Sequence, residues 1–300
     1  MENKPAQMKF SVALTTDKYK QLINNTLGNK DQASKFIAAI SSAVAVNKSL
    51  QECTPGSILS GALLGESLKL SPSPQLGHYY LVPYADNKRG VKLAQFQLGY
   101  KGYIQLAMRS GLYKDIDVIE IREGEYLGRD EETGKPKFKF IEDDDIREST
   151  PIIGYRAYFE YLNGFVKVLY WSKTKMLNHA DKYSTAFNKE MFVKLQEGKI
   201  PQKDLWKYSS NWYKDFDGMA FKTMLRQLLS KWGILSIEMQ EAYAKDMASI
   251  NEDGTYDYVD NEDDLPEEEN SDIIENQDDI SDAEVIEPPE VVEEIDLSAL

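Results

Sequence analysis

A ridge of amides, phenols and cations runs through residues 94–109, AQFQLGYKGYIQLAMR. Gln95 and Gln97 alternate with Phe96 and Leu98, so a strand here puts the amides on the face opposite those apolar side chains. Gly99 and Gly102 mark a tight joint. Beyond it, Tyr103, Leu106 and Ala107 fall on one helical stripe and Lys101, Gln105 and Arg109 on another. With Tyr100, the segment offers ammonium and guanidinium groups for phosphates and rings and amides for unpaired bases.

A second group of such residues lies downstream. Trp206, Lys207, Tyr208, Trp212, Tyr213 and Lys214 interleave aromatic rings with cations, a pattern that serves base stacking beside phosphate contacts and equally serves core packing. Lys222 and Arg226 sit one helical turn apart, on the side away from a broad apolar surface. Bond-making chemistry finds less support. Cys53 is the single cysteine, and His78 and His179 each lack a neighbouring Cys or His and a recognisable nucleophile motif. The small residues between Gly56 and Gly65 favour close helix packing, since no GK[ST] follows them. Asp143, Asp144 and Asp145 read as a solvated loop rather than as metal ligands.

Several elements must position these side chains. Residues 1–30 hold few apolar residues and read as a flexible arm with one short helix near residues 17–27. Helical spacing from Asp31 to Val46 and a Thr54-Pro55 start running to Leu68 predict two packed helices. Residues 78–84 and 91–98 are strand-like about the polar turn ADNKRG, and residues 115–122 predict a further strand. Asn163-Gly164, between residues 152–162 and 165–171, is the signal for a two-residue type I′ hairpin, whose strands are expected to join the same sheet. Ser172 has the form of an N-cap for a short basic helix. Residues 215–232 predict a strong helix stopped by Gly233, and residues 236–247 a last amphipathic one. The fold class is therefore α+β: an antiparallel, hairpin-based sheet with helices packed on one face, formed by residues 31–248 as one domain.

Charge divides the chain more sharply than hydropathy does. Its 300 residues carry fifty acids and thirty-five bases, a net charge of −15. Residues 251–300 hold 21 of the acids and no Lys or Arg, which leaves residues 1–250 at +6. A weakly basic body with an acidic, mostly disordered C-terminal tail over residues 249–300 is the asymmetry of a nucleic-acid binder with an interaction or self-screening segment. The lone cysteine suits a reducing cytoplasm, and the absence of an uncharged apolar run of about 18 residues argues against membrane spanning.

The stretch GYKGYIQLAMRSG, with QFQ before it and YKDIDVIEIREGE after it, resembles the RecT family of phage single-strand annealing proteins. DFDGMAFKTMLRQLLSKWGILSI, residues 215–237, is a second match, and the resemblance spans roughly residues 37–243. It implies an ATP-independent recombination protein, without a catalytic site, metal or cofactor, that coats single-stranded DNA and anneals complementary strands into duplex. It further implies a homo-oligomeric ring or filament, a partner exonuclease and a host single-strand binding protein. By motif match, DNA contact falls on Lys101, Tyr103, Arg109, Lys222 and Arg226; Gln95, Gln97, Tyr100, Trp212 and Lys214 join them on residue chemistry alone. Two alternatives stand beside this reading. One is a metal-dependent nuclease with Asp115, Asp117, Glu120 or Glu123 as ligands, and the other an adaptor acting through the acidic tail.

Overall fold

Local helix signals dominate the first third of the chain. The computed structural model describes residues 8–86, 89–251 and 255–258, all within the unit formed by residues 1–264. Helices α1 (Phe10–Ala13) and α2 (Asp17–Leu27) lead into α3 (Lys30–Val46), whose N-cap Asn29 accepts from the amides of Asp31 and Gln32. Phe10, Leu14 and Ile23 are buried in the main core. The arm expected over residues 1–30 is thus packed from Phe10 onward, while residues 1–7 lie outside the described residues. A 3₁₀ turn, Lys48–Glu52, precedes α4 (Pro55–Ser67), which starts with Pro55 in its first turn. Residues 56–65 of α4 are all buried, because Gly61 and Gly65 leave room for Leu81 and the ring of Tyr79.

Strands β1 (Tyr79–Asp86) and β2 (Val91–Leu98) pair antiparallel from Tyr79↔Leu98 to Asp86↔Val91, and α5 (Tyr100–Arg109) follows β2 directly. Next come β3 (Tyr113–Arg122), the short hairpin β4 (Tyr126–Arg129) and β5 (Pro136–Phe138), and α6 (Asp144–Ser149). Strand β6 (Ile152–Tyr161) pairs with β3 on one side and with β7 (Val166–Ser172) on the other. The hairpin strands therefore do not join β1 and β2: the order β3-β6-β7 is a sheet of its own. Its turn also departs from the two-residue form. The Tyr161 amide donates to Phe165 O and the Gly164 amide to Tyr161 O, with only Gly164 at positive φ (+84°). This is a three-residue loop closed by a left-handed glycine, since a type I′ turn would need positive φ at Asn163 as well.

The remaining elements are helical until the last strands. Helix α7 (Lys173–Tyr183) takes Ser172 as N-cap, followed by α8 (Lys189–Gln196), a 3₁₀ turn at Gln202–Lys207, α9 (Asn211–Lys214), α10 (Phe216–Trp232) and α11 (Ile237–Lys245). Helix α10 packs against β3, β6 and β7 on one side and α5 on another. Strands β8 (Ala248–Ile250) and β9 (Tyr256–Tyr258) extend the first sheet in the order β1-β2-β8-β9. Ser249 and Ile250, expected to open the tail, are thereby buried within the folded unit. Residues 259–300, which hold most of the expected tail, lie outside the described residues.

Candidate nucleic-acid interface

The joint between β2 and α5 is built on two glycines. Gly99 donates its amide to His78 O at 2.9 Å, and a Cβ at Gly99 would overlap the carbonyl oxygen of Gly77. A Cβ at Gly102 would likewise overlap His78 O. The segment ahead of β1 therefore lies directly against the first turn of α5. Gly99 has no side chain to cap the helix, so the first turn of α5 lacks a side-chain cap.

Cations and rings line α5, with Lys101 in its first turn and Arg109 at its last residue. Lys101 is exposed, with its Nζ 5.9 Å from the centroid of the Tyr100 ring, and Tyr100 is half-buried edge-on against Phe221. Tyr80, on β1, is 41% exposed. Burial raises the Tyr80 phenol pKa, and nearby Asp215 and Tyr100 add to the shift, which places these three residues in one neighbourhood. Burial lowers the His78 pKa, with Arg109 and Lys101 pushing the same way, and its Nδ1 accepts from the Ser71 amide at 3.2 Å. His78 is thus held neutral beside two cations. Arg109 is exposed but engaged: its guanidinium donates to Leu68 O at 2.5 Å and Lys69 O at 3.2 Å, closing the C-terminal end of α4.

Other residues of the motif point inward. Gln95 (2% exposed) donates to Met247 O, and Gln97 donates to Gln95 Oε1 at 2.8 Å. Tyr103 donates to Asp246 Oδ2 at 3.1 Å. Lys222, placed by its spacing on a solvated helix face, is 6% exposed and donates to Asp246 Oδ1 at 3.0 Å, while Arg226 reaches Oδ2 at 2.6 Å. The Leu98 amide also donates to Oδ1, at 2.8 Å. Burial alone would raise the Asp246 carboxyl, but Lys222 and Arg226 outweigh it and hold the group below the usual carboxylate range. Gln95, Gln97, Tyr103 and Lys222 therefore fasten the joint from beneath and offer no group to an external phosphate. Arg226 keeps an exposed edge and lies 4.5 Å from the Tyr243 ring centroid. Burial lowers the Lys222 ammonium pKa while the Asp246 carboxylate pulls it back up, and the charge that reaches the surface of the cluster is that of Arg226. Asp246 itself carries no signal in the sequence, since its role exists only once α11 and β8 bring it under β2.

In the downstream group, Trp212 is buried against Phe187 and Phe216, with ring centroids 5.9 and 5.3 Å away. Tyr213 is half-buried, and its hydroxyl accepts from the Asn188 amide at 2.8 Å. Lys214 is exposed at the end of α9, next to Asp215, which caps α10 by accepting from the Gly218 amide at 3.0 Å. Asp215 is near enough to Tyr80 for its charge to add to the rise of that phenol, and Lys214 is its exposed chain neighbour.

The acidic residues of β3 do not converge. Asp115 and Asp117 pair across to Glu160 and Tyr158, whereas Glu120 pairs with buried Tyr155 on the opposite face of the sheet. Asp117 meets Arg156 at 3.8 Å, and Glu120 is held by Arg122 and Arg147 at 3.2 and 3.3 Å. Asp143 caps α6 by accepting from the Ile146 amide. Among the described residues no three of His, Cys, Asp and Glu stand close enough to hold one ion. Burial pushes the Cys53 thiol up to about 11, away from the thiolate form a nucleophile needs. Among the described residues no helix is long and apolar enough to cross a membrane.

Comparison with known proteins gives a consistent picture. Residues 34–262 match the RecT family, over more than half of the chain. The uncharacterized protein YqaK of Bacillus subtilis (strain 168) is 40% identical over 230 residues, covering 76% of this chain and 67% of its own length. Protein RecT of Escherichia coli (strain K12) is 28% identical over 222 residues, 71% of each chain.

Proposed function

The chain belongs to the RecT family, and from that membership we propose that it binds single-stranded DNA and anneals complementary strands in homologous recombination, without ATP. The observation that carries the proposal is the uncapped N-terminal end of α5, with exposed Lys101 on it and Tyr80 and Tyr100 beside it. A helix N-terminus with an adjacent ammonium favours phosphate oxygens, and flanking rings offer faces to unpaired bases. An annealing protein has to hold the backbone while leaving base edges free to test pairing, so contacts to phosphates and ring faces suit the task.

In this reading Lys101, Tyr100, Arg109 and Lys214 meet the strand, with the exposed edge of Arg226 adding positive charge. Gln95, Gln97, Tyr103, Lys222 and Trp212 act from below, by fixing the joint and the aromatic core. Several copies assemble along the strand as a ring or filament. A partner exonuclease supplies single strands, a host single-strand binding protein shares them, and the annealed duplex is the product, all in the bacterial cytoplasm.

Two labelled complementary oligonucleotides mixed with the protein test this directly. The expected result is faster pairing without ATP and without shortening of either strand. Strands shortened in the presence of magnesium would instead support a nuclease, and an unchanged pairing rate would reject annealing.

A further inference from the structure

Of the two tryptophans in the segment between α8 and α10, one is spent on the core and the other displayed. Trp212 is 8% exposed within a cluster of phenylalanines, whereas Trp206 is 73% exposed on the 3₁₀ turn Gln202–Lys207. An indole left in water forfeits most of its burial free energy, so its presentation on an ordered turn calls for a ligand. We propose that Trp206 is a stacking platform for an unpaired nucleobase, with Lys203 and Lys207 beside it for the flanking phosphates. The proposal rests on the single-strand reading above and extends its surface to a site outside the α5 joint.

The turn is built for this presentation. In a 3₁₀ helix side chains three residues apart eclipse one another, so Lys203 lies in one column with Trp206, and Asp204 in one column with Lys207. The Asp204–Lys207 bridge, at 2.8 Å, braces the second column, and Lys207 Nζ stands 5.8 Å from the Trp206 ring centroid. The surroundings favour an anion over an apolar partner. Residues 189–214 contain six lysines and three acids. Along the chain the exposed neighbours of Trp206 are the polar Gln202, Lys203, Lys207 and Ser209, while Leu205 and Tyr208 are half-buried, whereas a protein-docking patch needs contiguous exposed apolar neighbours. Along the chain the turn leads through Tyr208–Ser210 into α9, which ends at Lys214, the cation already assigned to the strand.

The test uses the full chain and two oligomers of equal length, oligothymidylate and its abasic backbone. Trp206→Ala is expected to weaken oligothymidylate binding by about 5- to 150-fold, the range set by losing one base–aromatic stack. Abasic binding and the melting temperature should be unchanged, and Trp206→Phe should recover most of the loss. Lys203→Ala with Lys207→Ala should weaken both oligomers alike and reduce the salt dependence. Equal weakening of both oligomers by Trp206→Ala, or of neither, overturns the stacking role. So does a change in assembly size with base-dependent binding intact, which would make Trp206 a contact between copies. Wild-type protein that binds neither oligomer would reject the single-strand reading itself, a result distinct from loss in the variant alone.

Discussion

Lys222 Nζ stands 3.0 Å from Asp246 Oδ1 in a site where both side chains are buried, and Arg226 takes the second carboxylate oxygen at 2.6 Å. One carboxylate thus joins α10, the end of α11 and, through the Leu98 amide, the last residue of β2. Cations that their sequence motif associates with DNA hold the underside of a joint whose outer side carries Lys101. Geometry at the surface is therefore coupled to an ion cluster in the interior.

Removing that carboxylate's charge should be costly. Asp246→Asn leaves buried Lys222 and half-buried Arg226 without their shared counter-charge, and the expected loss of stability is about 3–5 kcal/mol. Urea denaturation measures it, and a loss under about 1 kcal/mol would mean the cluster is solvated. Because the Asp246 carboxyl is held below the usual range, its contribution should be complete at neutral pH and lost only as pH falls through that lowered value.

Lys101→Ala should behave in the opposite way. The side chain is exposed and its 5.9 Å approach to the Tyr100 ring is a weak contact, so the melting temperature should stay within about 1 °C of wild type. Single-strand affinity should fall, and the slope of log K against log salt should flatten by about 0.7, the value of one phosphate contact. An unchanged slope would take Lys101 off the DNA surface.

His78 makes the joint sensitive to acid. Its Nδ1 accepts from the Ser71 amide, which requires the neutral ring, and its pKa is lowered in the folded protein. The unfolded chain therefore binds the proton more readily, and stability should decline as pH falls below the ordinary histidine range near about 6.5. Thermal melts of wild type and His78→Gln between pH 7.5 and 5 should diverge. Parallel curves would exclude His78 as the titrating group.

Gly99→Ala tests the close approach itself. The added Cβ meets a backbone carbonyl, Gly77 O, which cannot rotate away as a side chain can. Stability should drop by about 1–3 kcal/mol or more, and single-strand binding should weaken even where the variant is folded, because the N-terminal turn of α5 is displaced. Wild-type affinity in a folded variant would separate the joint from the DNA surface.

Deleting residues 265–300 removes 14 acids and no bases while sparing β8 and β9. Single-strand binding should tighten at low salt, and the gain should fade near physiological ionic strength, where the Debye length is about 8 Å. If low-salt affinity does not rise, the acidic segment is not a competitor for DNA and is better placed as a partner-binding segment.

The sequence by itself determined the elements whose signals are local. The starts of α4 and α10, the pairing of β1 with β2 about a polar turn, and the strand–glycine–helix joint at Gly99 all follow from periodicity and caps within a few residues. The hairpin at Asn163-Gly164 was legible as a hairpin, while its loop length depended on the φ of Asn163, which composition does not fix. What only the tertiary structure decided is which polar residues face water. Helix α10 packs against β6 and β7 on one side and α5 on another, so more of its surface is buried than its apolar stripe, and Lys222 is enclosed with it. Asp246 lies 24 residues beyond Lys222 and 148 beyond Leu98, and nothing in either local pattern announces that it meets them. Likewise Trp206 and Trp212 have the same composition around them. Only packing against Phe187 and Phe216 withdraws one from solvent and leaves the other outside. Burial is a property of the assembled elements, and it is burial that divides this chain's conspicuous cations and rings into those that support the surface and those that form it.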